Sequence, residues 1–182
     1  MRVLAIRGAN LASLAGEFEV RLDADPLASA GLFAITGPTG AGKSTLLDAL
    51  CVALYDKTPR LCARGGALIG HEGEPEEARI SATDVRALLS RGAGAGYAEV
   101  DVIGKDGRAL RARWDVRRAR ERATGRLQPQ TMAIRDLATD KVEAGPKSEI
   151  LATIESRVGL SFEQFRRSVL LPQGDFAAFL RA

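Results

Sequence analysis

The stretch Gly37-Pro38-Thr39-Gly40-Ala41-Gly42-Lys43-Ser44, followed by Thr45, satisfies the pattern G-x-x-x-x-G-K-[ST] at every fixed position. Leu32-Phe33-Ala34-Ile35 before it is a short apolar run that predicts a buried strand, and Lys43 to Tyr55 reads as an apolar-faced helix. Glycines allow successive backbone N–H groups to curl inward onto phosphate oxygens, and the helix start adds the positive end of its dipole. Lys43 is the expected contact to β- and γ-phosphates, Ser44 the expected Mg²⁺ ligand, and Thr45 lies within reach of an α-phosphate. Gly37, Pro38, Thr39, Gly40, Ala41, Gly42, Lys43, Ser44 and Thr45 are therefore the candidate nucleotide-binding residues. The bland alternative, a glycine-rich turn, arises by chance in about one chain in a hundred of this size.

The chain of 182 residues suits one domain with a core of its own. A formal charge of +3 is too mild to identify a partner by itself. The apolar stretch at the N-terminus is too short for a signal-peptide core, and no run approaches membrane-spanning length. Cys51 and Cys62 have neither metal spacing nor a disulfide framework, so two reduced thiols in the cytoplasm are expected. His71, the single histidine, lies in a Gly/Glu-rich loop with no second ligand pattern and reads as a solvated loop residue.

Residues 2–7 read as a first strand, interrupted at Gly8-Ala9-Asn10. Glu17 to Leu22 alternates as a half-buried second strand, and Asn10–Gly16 joins the two as a hairpin-like connection. Two antiparallel strands thus precede the phosphate loop, unlike a simple nucleotide kinase. Asp23 to Ala30 is a loop, and Pro59 ends the helix. Leu61 to Gly96 has weak periodicity, with a helical portion at Glu76 to Leu89. Tyr97–Ile103 and Ala109–Arg117 form a hairpin around the Asp106-Gly107 turn. Thr131–Leu137 is a further strand, followed by a turn at Thr139-Asp140, and a helix runs from about Pro146 to Val158. Ser161 caps another helix with Gln164 three residues on, a capping-box arrangement. Val169-Leu170-Leu171 is a short apolar run, broken by Pro172-Gln173-Gly174-Asp175, after which a last helix begins. The fold class is α/β, with a mixed sheet, an antiparallel β portion and helices.

Phosphoryl transfer also needs a metal-side carboxylate at the end of an apolar strand. Val100-Asp101 follows a strand, but one that alternates, so Asp101 is expected on its wet side. No convincing carboxylate of this kind is found, and the catalytic half of an ATPase is expected to lie elsewhere.

Asn10-Leu11-Ala12-Ser13-Leu14, Gly31 to Leu50, Ala53-Leu54-Tyr55 with Thr58 to Leu61, and Arg167 to Leu180 together resemble the N-terminal ATPase lobe of the SbcC family, in the SMC-like branch of the ABC ATPases. The resemblance spans residues 1–182 and is weak at about 62–96 and 118–146. It implies that Gln173, in a Q-loop at 172–175, approaches Mg²⁺ and the attacking water. It implies further that Asn10 to Ser13 lie against the adenine or ribose and that Ser90-Arg91-Gly92 approaches the nucleotide from the side. The implied cofactors are ATP and Mg²⁺, with Mn²⁺ only in the partner nuclease. The implied partners are an SbcD-type nuclease subunit, the chain's own C-terminal lobe, a second SbcC head and double-stranded DNA, in a nucleoid-associated cytoplasmic complex. A coiled coil is expected beyond Leu180, returning to a lobe that carries the remaining catalytic motifs. The chain alone is then expected to bind ATP without appreciable turnover.

Arg108, Arg111, Arg113, Arg117, Arg118, Arg120, Arg122 and Arg126 stand against only Asp115 and Glu121, with Trp114 among them. Two readings stand: a basic surface for the DNA backbone, or a solvated hairpin face over a core tryptophan. Rival functions are another SMC-like repair ATPase and a nucleotide-binding module with no activity of its own. A stand-alone kinase or GTPase is disfavoured by the two leading strands and the lack of an N-K-x-D motif.

Overall fold

The computed structural model describes residues 1–62, 68–69 and 80–169. Its frame is a six-stranded sheet built from β1 (Arg2–Leu11), β2 (Leu14–Arg21), β5 (Ala95–Ile103), β6 (Ala109–Arg117), β7 (Thr131–Asp136) and β8 (Val142–Ala144). Their order across the sheet is β2-β1-β5-β6-β7-β8. A separate pair, β3 (Leu68–Ile69) and β4 (Ile80–Ser81), sits outside it. The helices are α1 (Lys43–Tyr55), α2 (Pro59–Cys62), α3 (Lys147–Val158) and α4 (Phe162–Ser168). The α/β class expected from the sequence holds. Every ladder among the described residues is antiparallel, so the parallel component of the expected mixed sheet is not seen there.

Period-two alternation sorts the sheet into two faces. Ala98, Val100 and Val102 of β5, Leu110, Ala112, Trp114 and Val116 of β6, and Met132 and Ile134 of β7 are buried on the inner face. Helix α1 lies against this face, and its residues from Ala49 to Tyr55 are all buried. α3 adds Ile150, Ile154 and Val158 to the core, and α4 adds Phe162 and Phe165, whose rings tilt against Tyr55 at 5.7 and 5.3 Å. A large apolar side chain fully removed from water contributes about 1.5–3 kcal/mol, so this layer dominates the stability of the fold. The capping box of α4 is present as the sequence predicts: Gln164 N–H donates to Ser161 Oγ, and Ser161 N–H to Gln164 Oε1.

Four sequence expectations are corrected. β1 is not interrupted at Gly8 but continues to Leu11. Gly8 is needed for close approach, because a Cβ there would press into the Phe18 ring. Leu32 to Ile35 forms no strand: a strand exists only through its ladder, and this run has no partner among the described residues, leaving Leu32 93% and Phe33 46% exposed. Of the helix expected at Glu76 to Leu89, the structure forms only a 3-10 turn at Val85–Leu88, after β4, while residues 76–79 lie outside the described residues. Asp101 does not face water. It is 5% exposed, because arginines roof the outer face: Arg7 Nη1 donates to it at 2.7 Å and Arg111 Nε at 2.6 Å. Glu19 and Glu99 join the same lattice through Arg7 and Arg113.

Candidate nucleotide-binding site

Helix α1 begins at Lys43 and ends at Tyr55, the span read from the sequence, and its N-cap Gly42 has φ 88°. That backbone conformation costs an L-residue about 1–2 kcal/mol and glycine nothing comparable. Gly42 is special for a second reason: the side chain of Leu14, from the start of β2, fills the space where its Cβ would stand. The phosphate loop is therefore held from above by the β1–β2 hairpin.

Lys43 arches back over the loop and donates from Nζ to Gly37 O at 2.6 Å and Pro38 O at 2.8 Å. The loop is closed by Ala41 N–H to Pro38 O at 3.2 Å and by Thr45 N–H to Gly42 O at 2.9 Å. Among the described residues, the amides of Thr39, Gly40 and Gly42 make no backbone hydrogen bond, which leaves donors for an acceptor oxygen. Ser44 is exposed with its hydroxyl on the first turn, whereas Thr45 is buried. The donor set suits phosphate: loop amides, one lysine ammonium and a helix N-terminus. No group of three or more His, Cys, Asp or Glu side chains that could cage a metal occurs among the described residues. Ser44, exposed on the first turn, is a residue that could offer a hydroxyl to a cation accompanying phosphate oxygens.

The hairpin tip draws other predicted residues to the same corner. Ala12 N–H donates to Leu88 O at 2.6 Å, Ser90 Oγ to Ala12 O at 2.9 Å, and Ser90 N–H to Asn10 O at 2.9 Å. Ser13 and Arg91, next in sequence to Ala12 and Ser90, are both exposed. Asn10, at φ 54°, is committed to the scaffold: Nδ2 donates to Ala95 O and Oδ1 accepts from Gly16 N–H, each at 2.9 Å. Gln173 and the rest of the 172–175 segment lie outside the described residues, as does His71.

Two carboxylates that hold α1 in place escaped the reading of the sequence. Asp48, 4% exposed, accepts from the Thr58 hydroxyl and pairs with Arg60 at 2.7 Å, fastening α2 to the phosphate-loop helix. Asp56, the C-cap of α1, receives Trp114 Nε1–H at 2.7 Å, Gln130 Nε2 at 3.0 Å and Lys147 Nζ at 2.6 Å. It thereby ties α1 to β6 and α3. The available signal was an acidic residue within an otherwise apolar helix at Asp48 and one at its end at Asp56.

The arginine cluster divides. Arg108 pairs with Asp136, Arg111 with Asp101, and Arg113 with Asp115 and Glu99. Arg118 is 9% exposed and donates to Gly125 O at 3.0 Å, so it is a buried loop anchor rather than a surface charge. Arg117, Arg120, Arg122 and Arg126 remain exposed. Trp114 is fully buried beneath, as the second reading of the cluster expects.

Glycine loop, following helix and phosphate donors define an ATPase-type P-loop domain. The chain belongs to the AAA domain family, which matches residues 6–182. Along its whole length it is similar to the SbcC subunit of the nuclease SbcCD from Pseudomonas aeruginosa, 52% identical over 183 residues, which cover 100% of this chain and 15% of that protein. The protein of the same name from Rhodobacter capsulatus is 49% identical over 182 residues, 100% of this chain and 14% of its own length. That from Deinococcus radiodurans is 38% identical over 149 residues, 82% of this chain and 14% of its own. The chain thus spans about one seventh of these relatives, and the SbcC resemblance drawn from its motifs holds.

Proposed function

We propose that this chain is the ATP-binding half of the ATPase subunit of an SbcCD-type complex that processes double-stranded DNA ends and hairpins. The observation that carries the reading is the pairing of a formed phosphate loop with an adjoining apolar run that has no ladder among the described residues. Lys43 already spans the loop carbonyls, while Leu32, Phe33 and Ile35 stand exposed beside it. Such a run suits completion by a further lobe that supplies the sheet partner and the catalytic carboxylate. Bound Mg²⁺ would neutralise charge on the β- and γ-phosphates. The chain's own residues do the rest: loop amides and Lys43 orient the triphosphate, Ser44 offers its hydroxyl to the metal, and Gln173 positions water.

A second SbcC head, an SbcD-type nuclease subunit and DNA are the proposed partners in a cytoplasmic, nucleoid-associated complex. No helix among the described residues is long and apolar enough to cross a membrane. Arg117, Arg120, Arg122 and Arg126 form the surface proposed for the DNA backbone, where binding weakens with salt. Replacing Lys43 with Ala in the complete protein tests the reading. Loss of ATP binding with the fold intact is expected, and retained affinity would contradict it.

A further inference from the structure

We propose that the groove at the Ala9–Tyr97 end of the outer sheet face holds an unpaired nucleotide of a DNA end. The inference rests on the proposed function and adds a substrate class and a site to it. Cross-strand register places Ala9, Tyr97, Asp115 and Thr131 side by side across β1, β5, β6 and β7. Neighbours in such a row pack against each other, and a small member leaves a hollow beside a large one. Ala9 has only a methyl, and Ala95 and Gly96 continue the small floor, so a groove of about 500 Å³ opens beside Tyr97.

The walls of that groove are preset. The Arg113 guanidinium lies 4.1 Å from the centre of the Tyr97 ring and is held there by Asp115, which accepts from Nη2 at 2.9 Å. Arg117, Glu121 and Pro129 also line the groove, Glu121 from the basic loop that follows β6. That loop is shut by a bridge between Arg118 and Leu127 and by Ala119 N–H to Arg126 O at 2.8 Å. Glu121 sits over Gly94 so closely that any Cβ on Gly94 would collide with its carbonyl, which fixes the wall at its present distance.

A stacked aromatic–guanidinium pair in a groove that exposed Arg117 also lines is the combination that receives single-stranded nucleic acid. Bases stack on the aromatic element while phosphates follow the arginines. A base inside a duplex already has neighbours on both faces and cannot also lie in this hollow. The groove therefore selects a nucleotide that is unpaired, as at a frayed or overhanging end.

Binding by the full-length protein to a blunt duplex and to the same duplex with a single-stranded overhang tests this. The overhang carries a fluorescent adenine analogue that is quenched on stacking. The wild type is expected to prefer the overhang and to quench the analogue. Tyr97→Leu should weaken overhang binding by roughly five- to hundredfold, the range for losing one base stack, and leave the blunt duplex unchanged. Tyr97→Phe keeps the ring and should keep the preference. Thr131→Leu, at an exposed strand position, fills the groove with a side chain that neither alters charge nor stacks on a base, and should abolish the preference even if Tyr97→Leu fails to fold. Equal affinity of the wild type for both DNAs, or an undiminished overhang preference in Thr131→Leu, overturns the proposal. Failure of the wild type to bind ATP and duplex DNA would instead overturn the proposed function beneath it.

Discussion

Leu14 packs directly on the bare α-carbon of Gly42, so that a Cβ at Gly42 would stand 2.6 Å from Leu14 Cγ. The packing joins the hairpin that opens the chain to the N-terminus of the phosphate-loop helix. Gly42→Ala therefore faces two separate penalties, a clash and a backbone at φ 88°. It is expected to cost about 1–2 kcal/mol for the backbone alone, plus the clash, and to abolish ATP binding. Adding Leu14→Ala should recover the clash portion and leave the backbone portion. Equal stability of the single and double variants in denaturant titration would show that the packing is not tight.

Asp56 gathers three donors at the far end of the same helix. Asp56→Ala leaves the Trp114 indole N–H buried without an acceptor, a loss of about 1–3 kcal/mol. Lys147→Met removes only a half-exposed partner and should cost about 0–1 kcal/mol. Urea unfolding of both variants checks the order, and a larger effect of Lys147→Met would reverse the assignment.

Burial raises the Asp101 carboxyl pKa, but hydrogen bonds from Arg111 and Arg7 outweigh it, so the folded pKa lies below the usual carboxylate value. The sign follows from linkage: the stabilisation is fully present above the unfolded pKa of about 3.9 and is lost as pH falls through the depressed folded value. Asp101→Asn should therefore be less stable than the wild type at neutral pH and show a shallower decline below about pH 4. Parallel acid-unfolding profiles of the two proteins would contradict the lattice as drawn.

Charge reversal at Arg120 and Arg122 should weaken duplex binding by the full-length protein. Its salt slope should flatten by about 0.9 for each phosphate that is no longer neutralised. Arg118→Glu should instead destabilise the fold, since its guanidinium is buried in the loop. An unchanged slope in the first variant removes this loop from the DNA surface.

Much of this was legible from residues alone. The bounds of α1, the β5–β6 hairpin, β7 and the Ser161–Gln164 box follow from local signals: periodicity, a D-G turn and reciprocal side-chain caps. What escaped depended on distant partners. Leu32 to Ile35 has a strand's composition, but strandhood comes from a neighbour that the described residues do not supply. Asp101 alternates like a wet residue, yet Arg7, ninety-four positions away, covers it. The scaffold bonds of the Asn10 side chain to Ala95 and Gly16 were likewise not visible in the sequence. Arg118 differs from its exposed neighbours only because the loop folds back over it.

The composite site is tested most directly by ATP turnover of this chain alone, of the C-terminal lobe alone, and of the two together. Turnover only in the mixture, lost when Lys43 is replaced by Ala, is the predicted result. Turnover by this chain alone at the rate of the mixture, or an active mixture carrying Lys43→Ala, would contradict it.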